Sequence, residues 1–469
     1  MSLEVKHYPQ DYRTVYNPIE IVVLETSATT RGYEGFSYLL DVYNGSVAAA
    51  NLIGRLKVPP IADGGFGRFD ISGIVESYIS SSLIDLNGTN INSAFLTTNS
   101  DIGVVIRYGW QHYNGGTYTI DMNQTVTMPD TSTVSETSLI SINASLPNYR
   151  RDLVNFYDWQ STDYYLKYMP TKFTIVGPVA STKKFLTNSP NYPATYDSTT
   201  LNITSFDSRS QKVRLTDQGF IYALHSTDIQ YIQYWTEDNT GTINRYAFDI
   251  ATIISDIKII AIPIAPASIN AIDPSFFTGS ASQPIIDSTI VNYGLRLNHT
   301  NTTPNNTMTE LFSFKIDTDC RYETRRLEFL NSLGGFDYYN FTKVSRHSEQ
   351  IDRKFLKANP SDLNTSTGAI DYSISNREKI QYYTKSTSKM KLNSDWIDVD
   401  TFNWLLELIE SPEVYLLDEY TTPTGTTEVR RIPIKNIEGN WEEKVSSTDN
   451  IFNLSIDLEL SMDNYRQRF

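Results

Sequence analysis

Along most of the chain, apolar and polar residues alternate with the period of two that a half-buried strand requires. In Phe36–Gly45 (FSYLLDVYNG), the residues Phe36, Tyr38, Leu40 and Val42 share one face, and Asn44-Gly45 supplies a turn. Ile102–Trp110 (IGVVIRYGW) alternates as cleanly, and Asn114-Gly115-Gly116 returns the chain through Thr117–Asp121 as a hairpin. Asn17–Glu25 (NPIEIVVLE) reads as a buried strand. Behind Asp70 the spacing changes: Ile71, Ile74, Val75, Tyr78 and Ile79 recur at helical intervals, predicting a short helix with Asp70 as its N-cap. Residues 1–150 therefore predict a β-sandwich with one packed helix.

The segment 131–165 is less regular, and 151–165 reads as a junction. A second strand-rich block, 166–318, contains KFTIVGPV, QKVRLTDQGFIYALH, DIQYIQYW, NRYAFDI, DIKIIAIPIAP, TIVNYGLRLNHT and MTELFSFKID, joined by turns rich in Asn, Thr, Pro and Gly. This predicts a second antiparallel sandwich or barrel. From Asp319 the pattern is α+β. Asp400–Val414 predicts a helix with Asp400 as cap, an apolar stripe of Phe402, Leu405, Leu406 and Ile409, and a stop at Pro412. The strands VYLLDEY, VRRIPIKN and IFNLSIDLELSM flank it. The fold expected is mainly β: two or three antiparallel β-sandwich or barrel domains, divided at 1–150, 166–318 and 319–469, with a few short packed helices.

Composition sharpens this picture. A chain of 469 residues with 40% hydrophobic and 20% charged residues is globular and too long for one ordinary core. Its 31 Tyr and 21 Phe favour pleated, half-buried surfaces and large contacts. A net charge of −15 repels phosphates, so specific nucleic-acid binding is disfavoured. The densest basic groups, Arg321, Arg325 and Arg326, then Lys385, Lys389 and Lys391, read as solvated faces beside acids. The lone Cys320 excludes an intrachain disulfide and reads as a small buried hydrophobe. No apolar run is long enough to cross a bilayer as a helix. The N-terminus lacks a signal-peptide core, so neither membrane nor secretory export is expected.

Catalytic constellations are not found. His7, His112, His225, His299 and His347 are scattered without metal-ligand spacing. No nucleophile elbow or phosphate loop is present, and Gly64-Gly65-Phe66-Gly67 is turn chemistry. Asp395, Asp398 and Asp400 lack the glycine and terminal glutamate of a calcium loop. The reading is of a non-enzyme with no catalytic residue, cofactor or metal.

One stretch remains conspicuous: Arg325–Lys343, RRLEFLNSLGGFDYYNFTK. Gly334-Gly335 permits a tight turn. Phe336, Tyr338, Tyr339 and Phe341 then start a strand with aromatics on both faces, which suits a domain corner or a subunit contact. This stretch also carries a resemblance. HYPQDYRTVYNPIEIVV, FSYLLDVYNG and GFGRFDISGIVESYIS resemble the N-terminal half of virion proteins from tailed phages of Bacteroidota, including the crAss-like group. CRYETRRLEFLNSLGGFDYYNFTK, DWIDVDTFNWLLELIESPEVYLL and IPIKN add the pattern of a Leu-x-Phe-Leu-Asn, Gly-Gly, aromatic-rich segment followed by a short helix and a final hairpin. The resemblance spans both ends of the chain and implies a tail or neck protein of the virion, assembled in the host cytoplasm. Its expected partners are identical subunits in a ring, with other tail or neck proteins above and below, and DNA only passing through. The net negative charge would keep phosphates off such a lumen. The alternative is a tail-tip or fibre-adaptor protein binding host glycans, for which Tyr108–Gly116 (YGWQHYNGG) is a suitable hairpin.

Overall fold

The computed structural model describes every residue except 1–2, 10–11, 82, 88–95, 98–99, 123, 146–183, 193, 198–201, 251–257, 278–283, 300–306, 320, 360, 373–374, 376, 426, 439–450 and 466–469. The junction expected at 151–165, the strand KFTIVGPV and Cys320 lie outside the described residues. What is described is mainly β, with several sheets and a few short helices. The chain divides into two compact units: 1–318 with 330–337, and 319–329 with 338–469.

The first unit holds two sandwich-like cores. One lies between a five-stranded sheet containing Leu3–His7, Glu20–Glu25 and Gly67–Asp70 and a six-stranded sheet centred on Ser37–Asn44 and Asp101–Asn114. Alternation decides which side chains enter it: Ile21 and Val23 from one sheet meet Tyr38, Leu40, Val104 and Ile106 from the other. Ser37–Tyr43 is buried on both faces, and on the outer face Asp41 pairs with Arg55 of the neighbouring strand. The helix behind Asp70 is short, Ser72–Glu76, and Tyr78 is exposed. The cap position is Ile71. The Asp70 carboxylate instead accepts from the backbone of both Ser72 (3.0 Å) and Ile19 (3.1 Å), so it ties the helix to a strand.

The second core of this unit packs Tyr231–Asp238, Ile290–Asn298 and Phe312–Ile316 against Phe220–Leu224 and Ile259–Pro263. The short strand Leu96–Thr97 completes the sheet of Ile259–Pro263 and so joins residues of the two blocks. Most pairings are antiparallel, and short parallel pairs occur, as between Gln211–Val213 and Phe312–Ile316.

The second unit is built on a seven-stranded sheet, with the two-stranded pairs Ser361–Leu363/Ile370–Tyr372 and Ile397–Asp398/Ile451–Phe452 beside it. The order of the large sheet is Phe336–Phe341, Arg325–Leu330, Val414–Thr421, Thr427–Glu438, Ser455–Tyr465, Lys379–Asn393 and Arg346–Lys357. The helix expected over Asp400–Val414 is two pieces, Val399–Trp404 and Leu406–Glu410, and the cap is Asp398, whose carboxylate accepts from Thr401 N at 2.9 Å. The break at Leu405 moves the buried stripe to Phe402, Leu405 and Leu408, with Trp404 beside it. Leu406 and Ile409 are left half-buried. Three-residue spacing replaces 3.6 through the break, which accounts for the shift.

Candidate functional site

The Gly-Gly turn is built by a residue to which the sequence assigns no role. Asn331 Oδ1 accepts from the N–H groups of Leu333 and Gly335, both at 3.0 Å, and Nδ2 donates to Leu186 O at 2.9 Å. Gly334 has φ +88°, and a Cβ there would stand 2.6 Å from Asn143 O. A Cβ at Gly335 would stand 2.8 Å from the Tyr222 ring, and the Phe336 ring lies 6.3 Å from that of Tyr222 between centroids. Thr187 donates to Asp337 at 2.9 Å. These contacts all belong to the first unit.

From Tyr338 onward the strand belongs to the second unit. Tyr338 donates to Glu328 at 2.8 Å, and Arg326 lies over its ring while donating to Asn340 at 2.9 Å. Glu328 is fully buried and takes a two-point ion pair from Arg431, with Nη2 to Oε1 at 2.9 Å and Nε to the other oxygen. Tyr339 stands edge-on to Phe341 and Trp404 in the core, and burial pushes its hydroxyl pKa up. Phe336, Tyr338, Tyr339 and Phe341 are thus all buried by the chain's own residues. None of the four stands on the surface.

A second buried polar cluster has no sequence motif. Arg296 is fully buried on the face of its strand opposite the second core. Its Nε donates to Gln233 at 3.3 Å, and its guanidinium lies 4.8 Å from the Trp235 ring. Arg245, on the neighbouring strand, lies over the same ring at 5.8 Å. Nη1 and Nη2 of Arg296 form no hydrogen bond of good geometry among the described residues, and the Tyr196 hydroxyl, placed as a weak acceptor, favours the charged form. Burial pushes the Arg296 pKa down to about 10, so the group is still charged at neutral pH.

The other candidates have structural occupations. Asp395 pairs with Lys343 at 3.1 Å and Asp398 caps a helix. Among the described residues, no three His, Cys, Asp or Glu side chains cluster as metal ligands do. His225 is buried, and His299 bonds Asp228 O through Nδ1 at 2.8 Å. In the hairpin Tyr108–Gly116, Tyr108 and Trp110 are buried in the core. Tyr113 is exposed and meets the exposed Tyr118 edge-on at 5.4 Å rather than as a flat platform.

The surface feature that stands out is a β-ribbon in the second unit. Arg346–Lys357 pairs along its whole length with Lys379–Asn393, and all twelve of its residues are exposed. Among the described residues the inner strand pairs with Ser455–Tyr465 only between Lys385 and Asn393, so beyond Lys385 the described ribbon is two-stranded. There Leu356 faces Ile380, and farther out Leu363 faces Ile370 in the small hairpin Ser361–Leu363/Ile370–Tyr372. These four are 60%, 38%, 65% and 63% exposed. Lys385, Lys389 and Lys391 lie at its base, where Lys389 meets Glu459 at 3.9 Å and Lys391 meets Asp457 at 3.8 Å.

No protein-family model and no curated protein matches the chain. Among solved structures, a crystal structure of a Salmonella alpha-2-macroglobulin mutant aligns over 94% of this chain and 24% of that one, at 10% identity and a TM-score of 0.17. A likeness at that score carries no argument about fold or function. Among the described residues, no helix is long and apolar enough to cross a membrane.

Proposed function

We propose that this chain is a non-enzymatic structural protein of a phage tail or neck, forming a ring of identical subunits stacked with other rings around the DNA-ejection channel. The observation that carries the reading is the ribbon: a twelve-residue edge strand, exposed throughout, whose apolar pair Leu356/Ile380, with Leu363/Ile370 in the hairpin beyond it, no described residue of the second unit covers. An edge strand of that length is a template for pairing with another chain, and its six charged side chains select which chain it can meet. The resemblance of both ends of the chain to Bacteroidota phage virion proteins supports the same reading. Closed cyclic symmetry would let one modest chain enclose a wide channel, and the acidic balance suits a wall past which DNA must slide. Negative-stain images of the purified full chain test it. Closed rings are expected, and isolated single subunits at every concentration count against it.

The glycan-binding alternative is supported by the exposed Tyr113 and Tyr118 alone. A glycan array separates the two readings, since ring formation without sugar affinity leaves only the first.

A further inference from the structure

We propose that the two-stranded ribbon is an assembly arm that docks on the acidic surface of a second copy of this chain. This rests on the ring reading and names the contact that would close the ring. The charge pattern points to that partner. Residues 346–393 contain nine Lys and Arg against five Asp and Glu, whereas the rest of the chain contains thirty against forty-nine. Arg353, Lys357 and Lys379 have no ion-pair partner among the described residues, and Lys354 lies over the Tyr383 ring at 5.3 Å. A cationic strip on an acidic protein meets opposite charge wherever it touches another copy, which steers association and fixes its register.

Apolar chemistry separates a protein partner from a nucleic acid. The pair Leu356/Ile380 on one face of the ribbon, Phe355 on the other beside Lys357 and Lys379, and the hairpin residues Leu363, Ile370 and Tyr372 need an apolar cover that phosphates do not supply. A two-stranded ribbon is also marginal in water by itself, and a covering surface or an added strand makes it stable. The first unit offers surface of the matching kind. Asp70–Asn87 has no Lys or Arg, and it exposes the acids Asp70, Glu76 and Asp85 together with Tyr78 and Leu83.

The test uses the full chain. Native mass is measured by sedimentation at low and high salt for the wild type and for the triple variant Arg353→Glu, Lys357→Glu, Lys379→Glu. A second variant, Leu356→Ser with Ile380→Ser, removes an apolar pair and leaves the charge intact. Circular dichroism and amide exchange of the sheet confirm folding. The wild type is expected as a multiple of 53.3 kDa that dissociates as salt rises, and both variants as 53.3 kDa monomers. In mixed light- and heavy-nitrogen preparations, a carbodiimide is expected to couple Lys357 or Lys379 to Asp or Glu of the other copy. Variants that assemble like the wild type would overturn the arm and leave the ring reading standing. A wild type monomeric at all concentrations overturns both. A short DNA duplex retained by the wild type and lost with the triple charge variant, without assembly, assigns the ribbon to nucleic acid instead.

Discussion

Gly334 and Gly241 hold nearly the same left-handed backbone, at φ +88° and +82°, and both lie in the first unit, yet their surroundings differ. At Gly241 an added Cβ meets nothing within 4 Å. At Gly334 it would stand 2.6 Å from the Asn143 carbonyl oxygen and 3.1 Å from the carbonyl carbon. Asn143 cannot simply swing aside, because its own N–H donates to Ser100 O at 2.8 Å. The left-handed conformation costs an alanine roughly 1–3 kcal/mol at either site. Relieving a backbone clash adds about 1–3 kcal/mol at Gly334 alone. Gly334→Ala should therefore destabilise the first unit by about 2–6 kcal/mol, while Gly241→Ala should stay near the low end of about 1–3 kcal/mol. Amide exchange in a urea series, read on Phe220–Leu224 and Ile259–Pro263, measures the two losses in the same core. Equal losses would refute the claim that the double glycine exists for close packing against Asn143.

Other consequences concern charge and caps. Asp398→Ala should cost the second unit about 1 kcal/mol and Asp400→Ala only a few tenths, since Asp398 holds the cap; equal values in denaturant titrations would return the cap to Asp400. Replacing Arg296 with Met should raise the stability of the first unit by about 1–3 kcal/mol, because a buried charge without a carboxylate partner is traded for apolar volume; a loss of stability would mean that Gln233 and Trp235 depend on the guanidinium. Glu310 is half-buried, and desolvation pushes its carboxyl pKa up, against a hydrogen bond from Asn191 and the charge of Lys184. A raised carboxyl pKa favours the folded state below the ordinary carboxylate range, and that advantage is lost as pH rises through the folded value. Glu310→Gln should therefore match the wild type at acid pH and exceed it increasingly toward neutrality. A pH-independent difference in stability would contradict that assignment.

Period-two alternation made the strands legible: Asp101–Asn114, Tyr231–Asp238, Ile290–Asn298 and Ser455–Tyr465 lie where the pattern puts them. It failed where neighbours intervene. Ser37–Tyr43 is buried on both faces, and Arg55 neutralises the buried Asp41, a pairing that no local pattern reveals. The helix breaks near residue 405 because tertiary packing favours Trp404 and Leu408 over the regular stripe, and of two aspartates two residues apart only Asp398 satisfies Thr401 N, a choice that local spacing does not make. The Gly-Gly motif was visible as a turn, but its aromatics have their partners inside the chain, where Asn331, Tyr222 and Glu328 receive them. Arg296 gave no signal, since a lone arginine in an apolar strand looks like any half-exposed one. The ribbon was legible only as charge. Lys385, Lys389 and Lys391 read as a solvated face, and the exposure of Leu356 and Ile370 follows from sheet order, which sequence periodicity does not specify.

The most direct measurement is the native mass of the full chain at several concentrations, with negative-stain images of the same fraction. The ring reading predicts closed particles of cyclic symmetry whose mass is an integral multiple of 53.3 kDa. A monodisperse 53.3 kDa particle at all concentrations, with no ring in the images, would contradict it.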